Sequence, residues 1–409
     1  MAQIRGQLSM RIITASSARR LARGLAVGFT VLSLTGGSAP AAADPVKIGF
    51  LATLSGPSAV LGQHMRDGFL LAVKELGGKI GGQETQVIVV DDELKPDVAV
   101  QKAKSLMERD KVDFITGLVF SNVAVAVLKP VTANETFLIS ANAGPSTIAG
   151  AGCNPYFFAA SYQNDQNHEV LGKFAQSKGY KKVVLMAPNY QAGKDALAGF
   201  KRHYTGEVVD EIYTQLGQLD FSAELAKVAA AKPDAFFTFM PGGMGVNLVK
   251  QYRQAGLADT IPFLSAFTVD ETTLPATGDA ALGFHSGAAW APDLDVPANH
   301  AFVAAFEKEY GYIPALYAAQ AYDAAKLIDS AVRATGGKVS DKQALRAALS
   351  KADFPSVRGD FKFNTNQFPI QNFYLMKVGR RPDGKIQTQV AERVFTNSGD
   401  AYAQMCPMK

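Results

Sequence analysis

From Val46 onward, short runs of β-branched and aromatic residues alternate with stretches whose apolar residues recur every three or four positions. This is the pattern of βαβ units on a mostly parallel sheet. Runs at 46–51, 86–90, 113–116 and 136–139 predict strands, and 63–76, 96–109 and 122–134 predict the helices between them, with Pro96 suited to a first helical turn. A second unit repeats the scheme, with strands at 182–187, 207–213, 235–239 and 262–264 and helices at 192–204, 222–231 and 245–255. Beyond Trp290 come helices at 298–310, 315–334 and 341–350, then strand-like runs at 358–363 and 373–378. The fold expected is α/β, two doubly wound Rossmann-like lobes. Ligands in such sheets bind outside the C-terminal ends of the strands, so two facing lobes place the ligand between them.

The first 43 residues do not fit this pattern. Five arginines and no acid precede the apolar run 25–34, and Ala41-Ala42-Ala43 offers a small-residue cleavage site before Asp44. A signal peptide cleaved after Ala43 and a periplasmic product are expected. An N-terminal anchor fits less well, because Gly36-Gly37 and Pro40 break the run short of the roughly 20 residues a span needs. The leader also carries the apparent basicity of the chain. Of 41 basic residues it holds 5, which leaves 36 against 37 acidic ones, so nothing favours nucleic acid or an anionic membrane as partner. The remaining 366 residues exceed one ordinary core and predict two domains. Cys153 and Cys406, in an oxidising compartment, predict a disulfide, with two separate thiols as the alternative.

Catalytic and cofactor motifs are missing. There is no GxGxxG after a strand, GxxxxGK[ST], GxSxG or HExxH, and the glycine-rich Pro241 to Gly245 loop lacks a phosphate-binding lysine. His64, His168, His203, His285 and His300 show no metal-ligand spacing and read as solvated or structural; Asp91-Asp92-Glu93 reads as a solvated strand end. Neither enzyme activity, nor a metal, nor a cofactor is expected. The informative segments are 54–63, 117–122 and 140–146, each rich in small and hydroxyl residues, each following a strand and opening a helix. Exposed N–H groups at such helix starts bind anions, carboxylates included.

Four segments occur in order behind the leader: Val46-Lys-Ile-Gly-Phe-Leu-Ala-Thr-Leu-Ser-Gly-Pro57, Gly62-Gln63 with Asp67-Gly68, Ser140-Ala-Asn-Ala-Gly144 and Ala318-Ala-Gln-Ala-Tyr-Asp-Ala324. Together they resemble the extracytoplasmic substrate-binding proteins of ABC importers, in the leucine/isoleucine/valine-binding class. The resemblance implies a type I periplasmic binding fold without catalytic activity, whose lobes close on a ligand and deliver it to ABC permease subunits in the inner membrane. It implies lobe I at 44–161 plus 292–366, lobe II at 162–291 plus 367–409, and hinge crossings near Ser161, Ala291 and Gln367.

Carried over by position, the family's carboxylate-gripping loops fall on Ser121 and Asn122 and on Asn142, Ala143 and Gly144, while Ser55, Leu61 and Gln63 fall at the cleft rim. In the second lobe Ala192 and Met244 stand where aromatics are common, and Tyr317 where an aromatic wall is usual. Phe267 or Thr268 takes the position of the acid that holds an α-ammonium, with Asp270 and Glu271 further on. The expected ligand is therefore a small carboxylate with an apolar, aromatic body. A branched-chain or other amino acid is the alternative, as is a ligand sensor on the same fold.

Overall fold

The computed structural model describes residues 45–408, so the signal expected at 1–43 lies outside the described residues. Continuous apolar runs become the inner strands of two sheets. The first contains β1 (Val46–Ala52), β2 (Lys79–Ile80), β3 (Gln83–Asp91), β4 (Phe114–Gly117), β5 (Phe137–Ser140) and β6 (Phe157–Ala159), in the order β2-β3-β1-β4-β5-β6. Only β2 is antiparallel to its neighbour. Helices α1 (Ala59–Glu75), α2 (Pro96–Glu108) and α3 (Ser121–Ala133) connect its strands, and a short α4 (Ser146–Ala149) follows β5.

The second sheet carries β7 (Lys182–Pro188), β8 (Glu207–Thr214), β9 (Ala235–Thr238), β10 (Phe263–Ser265) and β11 (His285–Ala288) in parallel, ordered β8-β7-β9-β10-β11. An antiparallel group of β12 (Lys362–Phe363), β13 (Pro369–Arg380) and β14 (Ile386–Ser398) is attached through β13 to β11. Its helices are α5 (Asn164–Ser177), α6 (Gln191–Arg202), α7 (Ser222–Ala231), α8 (Gly243–Gln254) and α9 (Leu274–Thr277); α10 (Pro297–Tyr310), α11 (Leu316–Ala334) and α12 (Lys342–Lys351) follow. In both parallel cores the strand order reverses beside the first strand, between β1 and β4 and between β7 and β9. Those are the switch points where such sheets bind ligands.

The chain leaves the first sheet after β6, returns after β11 through α10 and α11, which pack on α1, and crosses again before β13. Gly68 permits the α1–α11 contact, since a Cβ there would lie 2.1 Å from the Ala318 carbonyl oxygen. His64 anchors the start of α11: its Nδ1 accepts the Ala315 N–H at 3.1 Å, and burial pushes the imidazole down to about 3, keeping it neutral.

A buried ion pair staples the crossings. Arg358 Nε donates to Asp323 Oδ2 at 2.9 Å, and neither side chain is exposed. The guanidinium also donates to the carbonyls of Ala160 and Ser161 (2.6 Å each) and to Gln371 Oε1 (3.0 Å), so one side chain holds parts of the first and third crossings. Every arm of the fork is occupied.

Several sequence expectations need correction. Only Lys362–Phe363 of the run 358–363 is strand; Arg358 sits in a turn that presents its side chain to the hinge. Helix α5 and strand β14 were not expected. The Asp91-Asp92-Glu93 run is a solvated end only in part: Glu93 is exposed and Asp91 half-buried, but Asp92 is buried and accepts the Thr53 hydroxyl at 2.6 Å. Of the two readings open for the histidines, solvated or structural, His64 and His168 take the buried one.

Candidate functional site

The loops after β1, β4 and β5 face those after β7, β9 and β10 across a nearly closed cavity of about 20 Å³, room for little more than one water and far below the roughly 300–1,000 Å³ of open ligand pockets. The β4–α3 turn supplies Val119, Phe120 and Ser121, and the β5–α4 loop supplies Asn142 and Ala143. From the second sheet come Tyr190, Ala192, Phe239, Pro241 and Phe267; Tyr162, Asn164 and His168 enter from the first crossing and α5, and Leu61 and Tyr317 from α1 and α11. Two walls are held in left-handed backbone that bulky residues seldom adopt, Leu118 (φ 66°) before Val119 and Phe267 (φ 60°). Such strain collects where a site over-determines geometry.

The first-sheet side offers neutral donors. Ser121 begins α3, so the first N–H groups of the helix have no carbonyl partner within it and its positive dipole end meets the cavity. Ser121 Oγ accepts from Asn164 Nδ2 at 3.1 Å, which leaves its own O–H to donate. Asn142 is fixed by Nδ2 donating to the Val119 carbonyl (2.7 Å) and Oδ1 accepting the Tyr162 hydroxyl (2.8 Å). Burial, then the negative charge of neighbours, pushes the Tyr162 and Tyr317 phenols well up, so both stay protonated.

The far side is aromatic. Phe239 lies 5.8 Å from Phe267 and 6.2 Å from Tyr190 between ring centroids, Phe267 is 5.9 Å from Tyr317, and His168 stands edge-on 5.1 Å from Phe239. Burial pushes His168 down to about 3, so it too is neutral. No cavity-lining residue carries a formal charge.

Of the residues expected at the site, Leu61, Ser121, Asn142, Ala143, Ala192, Phe267 and Tyr317 line the cavity. The others do not. Ser55 is exposed, and Gln63 lines an outer groove with Asp67 and Tyr312. Asn122, the second residue of α3, is not among the residues that line the cavity. Gly144 donates its N–H to Asn164 Oδ1 (3.0 Å), and a Cβ there would lie 2.0 Å from the Tyr162 carbonyl oxygen, so the position takes glycine and offers the ligand nothing. Met244 is core, its sulfur accepting the Gly217 N–H, and Thr268 Oγ1 accepts the Met240 N–H at 2.8 Å.

Elements of the two sheets also meet around Asp195 of α6, which accepts the Ser146 N–H (3.0 Å) and hydroxyl (2.6 Å), Asn164 Nδ2 (2.8 Å) and Gln191 Nε2 (2.8 Å). With the Gly243 N–H donating to the Pro57 carbonyl at 3.2 Å, these contacts close the cleft.

Behind Phe267 the two acids Asp270 and Glu271 are buried. Burial first, and Asp270 second, push Glu271 up to about 8, although Oε1 accepts the Thr388 N–H (2.8 Å) and hydroxyl (2.7 Å). Its folded value lies above its ordinary 4.5, so the folded state binds the extra proton between those values and loses stability as pH rises through them. Glu271→Gln removes this dependence: relative to wild type it should gain about 1–3 kcal/mol between pH 5 and pH 9. Urea midpoints at the two pH values check this; parallel pH profiles would refute it.

The chain matches the Periplasmic binding protein family over residues 45–385 and belongs to it. Its fold is that of the type I periplasmic binding proteins, and its class is the non-enzymatic solute-binding protein of ABC transporters. It is 29% identical to "Leu/Ile/Val-binding protein homolog 6" of Brucella melitensis, over 91% of this chain and 98% of the relative. A solute-binding protein from R. palustris, solved in complex with benzoate, superposes with a TM-score of 0.85 at 34% identity, covering 89% of this chain and all of the other. Another, from Rhodopseudomonas palustris BisB5 with 3,4-dihydroxybenzoic acid, gives 0.83 at 32% identity, over 87% and 99%. Among the described residues no helix is long and apolar enough to cross a membrane, and none of the Cys, His, Asp and Glu residues form a metal-holding group. The structure joins Cys153 to Cys406, with Cα atoms 5.6 Å apart.

Proposed function

We propose that this protein captures an aromatic carboxylate, of the benzoate or hydroxybenzoate kind, between two lobes that meet at the three crossings, and hands it to permease subunits of an ABC importer. The observation that carries the reading is the cavity's chemistry: an uncharged chamber with neutral donors at the start of α3 and rings on the opposite side. A carboxylate is satisfied by N–H and O–H donors at a helix N-terminus, and an aryl body by offset and edge-on rings. An amino acid also brings an ammonium group, which the cavity would leave without a carboxylate, at the cost of burying an unpaired charge. The solute-binding proteins solved with benzoate and 3,4-dihydroxybenzoic acid support the same ligand class.

Isothermal titration with benzoate, benzamide and leucine tests it. Benzoate should bind, with benzamide and leucine much weaker; tight binding of leucine alone would hand the site to amino acids. Ser121→Ala removes one hydrogen bond to a charged group, about 1.5–3 kcal/mol, so it should weaken benzoate about tenfold or more and leave benzamide nearly unchanged. Equal weakening of both would rule out the carboxylate anchor at Ser121.

A further inference from the structure

A second chamber, a void of about 10 Å³ with room for about one water, lies behind the cavity, and Phe267 lines both. Its polar residues are Asp270, Glu271, Ser286 and Thr388, and the single tryptophan, Trp290, forms part of its wall. Glu271 Oε1 is committed to Thr388, and Asp270 Oδ1 to the Thr272 N–H (2.8 Å) and hydroxyl (2.5 Å). Asp270 Oδ2 is different. It is buried on a residue only 6% exposed and has no hydrogen-bond partner among the described residues. Buried polar atoms are nearly always paired, so an unpaired one facing a chamber marks a place for a donor. Phe267 itself is held in left-handed backbone against the rings of Tyr162, Phe239 and Tyr317, a conformation that favours glycine or asparagine.

We propose that Phe267 is the partition that sets ligand length, and that the chamber behind it is a latent subsite for a small hydrogen-bond-donating tail, hydroxyl or ammonium, carried on the far end of an aromatic acid. The inference rests on the aromatic-carboxylate reading. With the carboxylate at Ser121, the opposite end of a ring meets the Phe267 wall, and a tail long enough to pass it reaches Asp270 Oδ2. The void itself takes only a water-sized hydroxyl or ammonium head, so the carbon that carries it must occupy space that the Phe267 ring now fills.

The probes are benzoate, 4-(hydroxymethyl)benzoate, 4-(aminomethyl)benzoate and the apolar control 4-ethylbenzoate, titrated into wild type, Phe267→Gly and Phe267→Ala. Glycine is included because it relieves the positive φ, which favours folding of that variant. In wild type each tailed acid should bind about tenfold or more weaker than benzoate, the scale of misfit for an extra methylene or two. Either variant should bring the hydroxyl- and ammonium-tailed acids to benzoate's affinity or better, ahead of 4-ethylbenzoate, and shift Trp290 emission when they bind. Adding Asp270→Asn to the variant should remove the advantage of the ammonium tail over 4-ethylbenzoate. The proposal falls if a variant that binds benzoate ranks the acids as wild type does. It also falls if wild type itself binds tailed acids as tightly as benzoate, a result that needs no variant to fold. Failure of wild type to bind benzoate at all would instead strike the ligand class, so the two failures are distinct.

Discussion

Arg358→Met is expected to lower folding stability by about 3–5 kcal/mol, because it leaves Asp323 buried without its counter-charge. Burial already pushes the Asp323 carboxyl up, and the arginine, the Ser356 hydroxyl (2.6 Å) and the Val357 N–H (3.1 Å) oppose that shift. The same substitution orphans the carbonyls of Ala160 and Ser161, of which only Ser161 keeps a second donor, Gln371 Nε2 at 2.8 Å. Converting both partners, Arg358→Met with Asp323→Leu, should recover part of the loss, since a buried pair replaced as a unit costs far less than a pair broken. Urea denaturation of the two variants gives the comparison. A single variant within 1 kcal/mol of wild type, or a double variant worse than the single one, would contradict the staple.

Removing the Cys153–Cys406 bridge by Cys406→Ser is expected to cost about 2–4 kcal/mol, chiefly through the freedom regained by the unfolded chain. The half-cystines are separated by 253 residues. The tail that carries Cys406 has other ties: Tyr402 donates its hydroxyl to Asp165 Oδ2 at 2.8 Å, and Asp400 accepts from Asn366 Nδ2 at 3.1 Å. These ties should keep the variant folded and able to bind ligand, so the loss appears in the denaturation midpoint rather than in affinity. Wild type in reductant should match the variant. Midpoints unchanged by either treatment, or two alkylated thiols in unreduced denatured protein, would dismiss the bridge.

The inner strands were legible because a strand covered on both faces gives a short continuous apolar run, as β1 does from Ile48 to Ala52 and β5 from Phe137 to Ile139, and runs this short bounded by turn residues favour strand over helix. Helix α5 was hidden for the opposite reason. Its first turns, Asn164 through Glu169, are polar and yet buried, held by a network that includes Asp195, Ser121 and Arg202, so no apolar stripe marks them. Arg358 looked like the start of a strand because its partners, 35 and almost 200 residues away, are set by the hinge alone. At the site, Ser121 and Asn142 were accessible from small, hydroxyl-rich loops after strands. Tyr162, His168 and Phe239 were not, since an isolated aromatic or histidine is as common in a core as in a cavity wall. Met244 failed by geometry: α8 begins at Gly243, and the next side chain is turned into the second core rather than toward the cleft.

The bridge between Cys153 and Cys406 also changes what a protease can accomplish. Any single cut between the two half-cystines, for instance in the exposed turn at 382–385 that joins β13 to β14, leaves both fragments in one covalent body. Nicked molecules would run intact on a non-reducing gel and separate only after reduction. Damage to one exposed turn is thereby kept from releasing either half of the cleft, and a preparation judged by non-reducing electrophoresis alone would look whole.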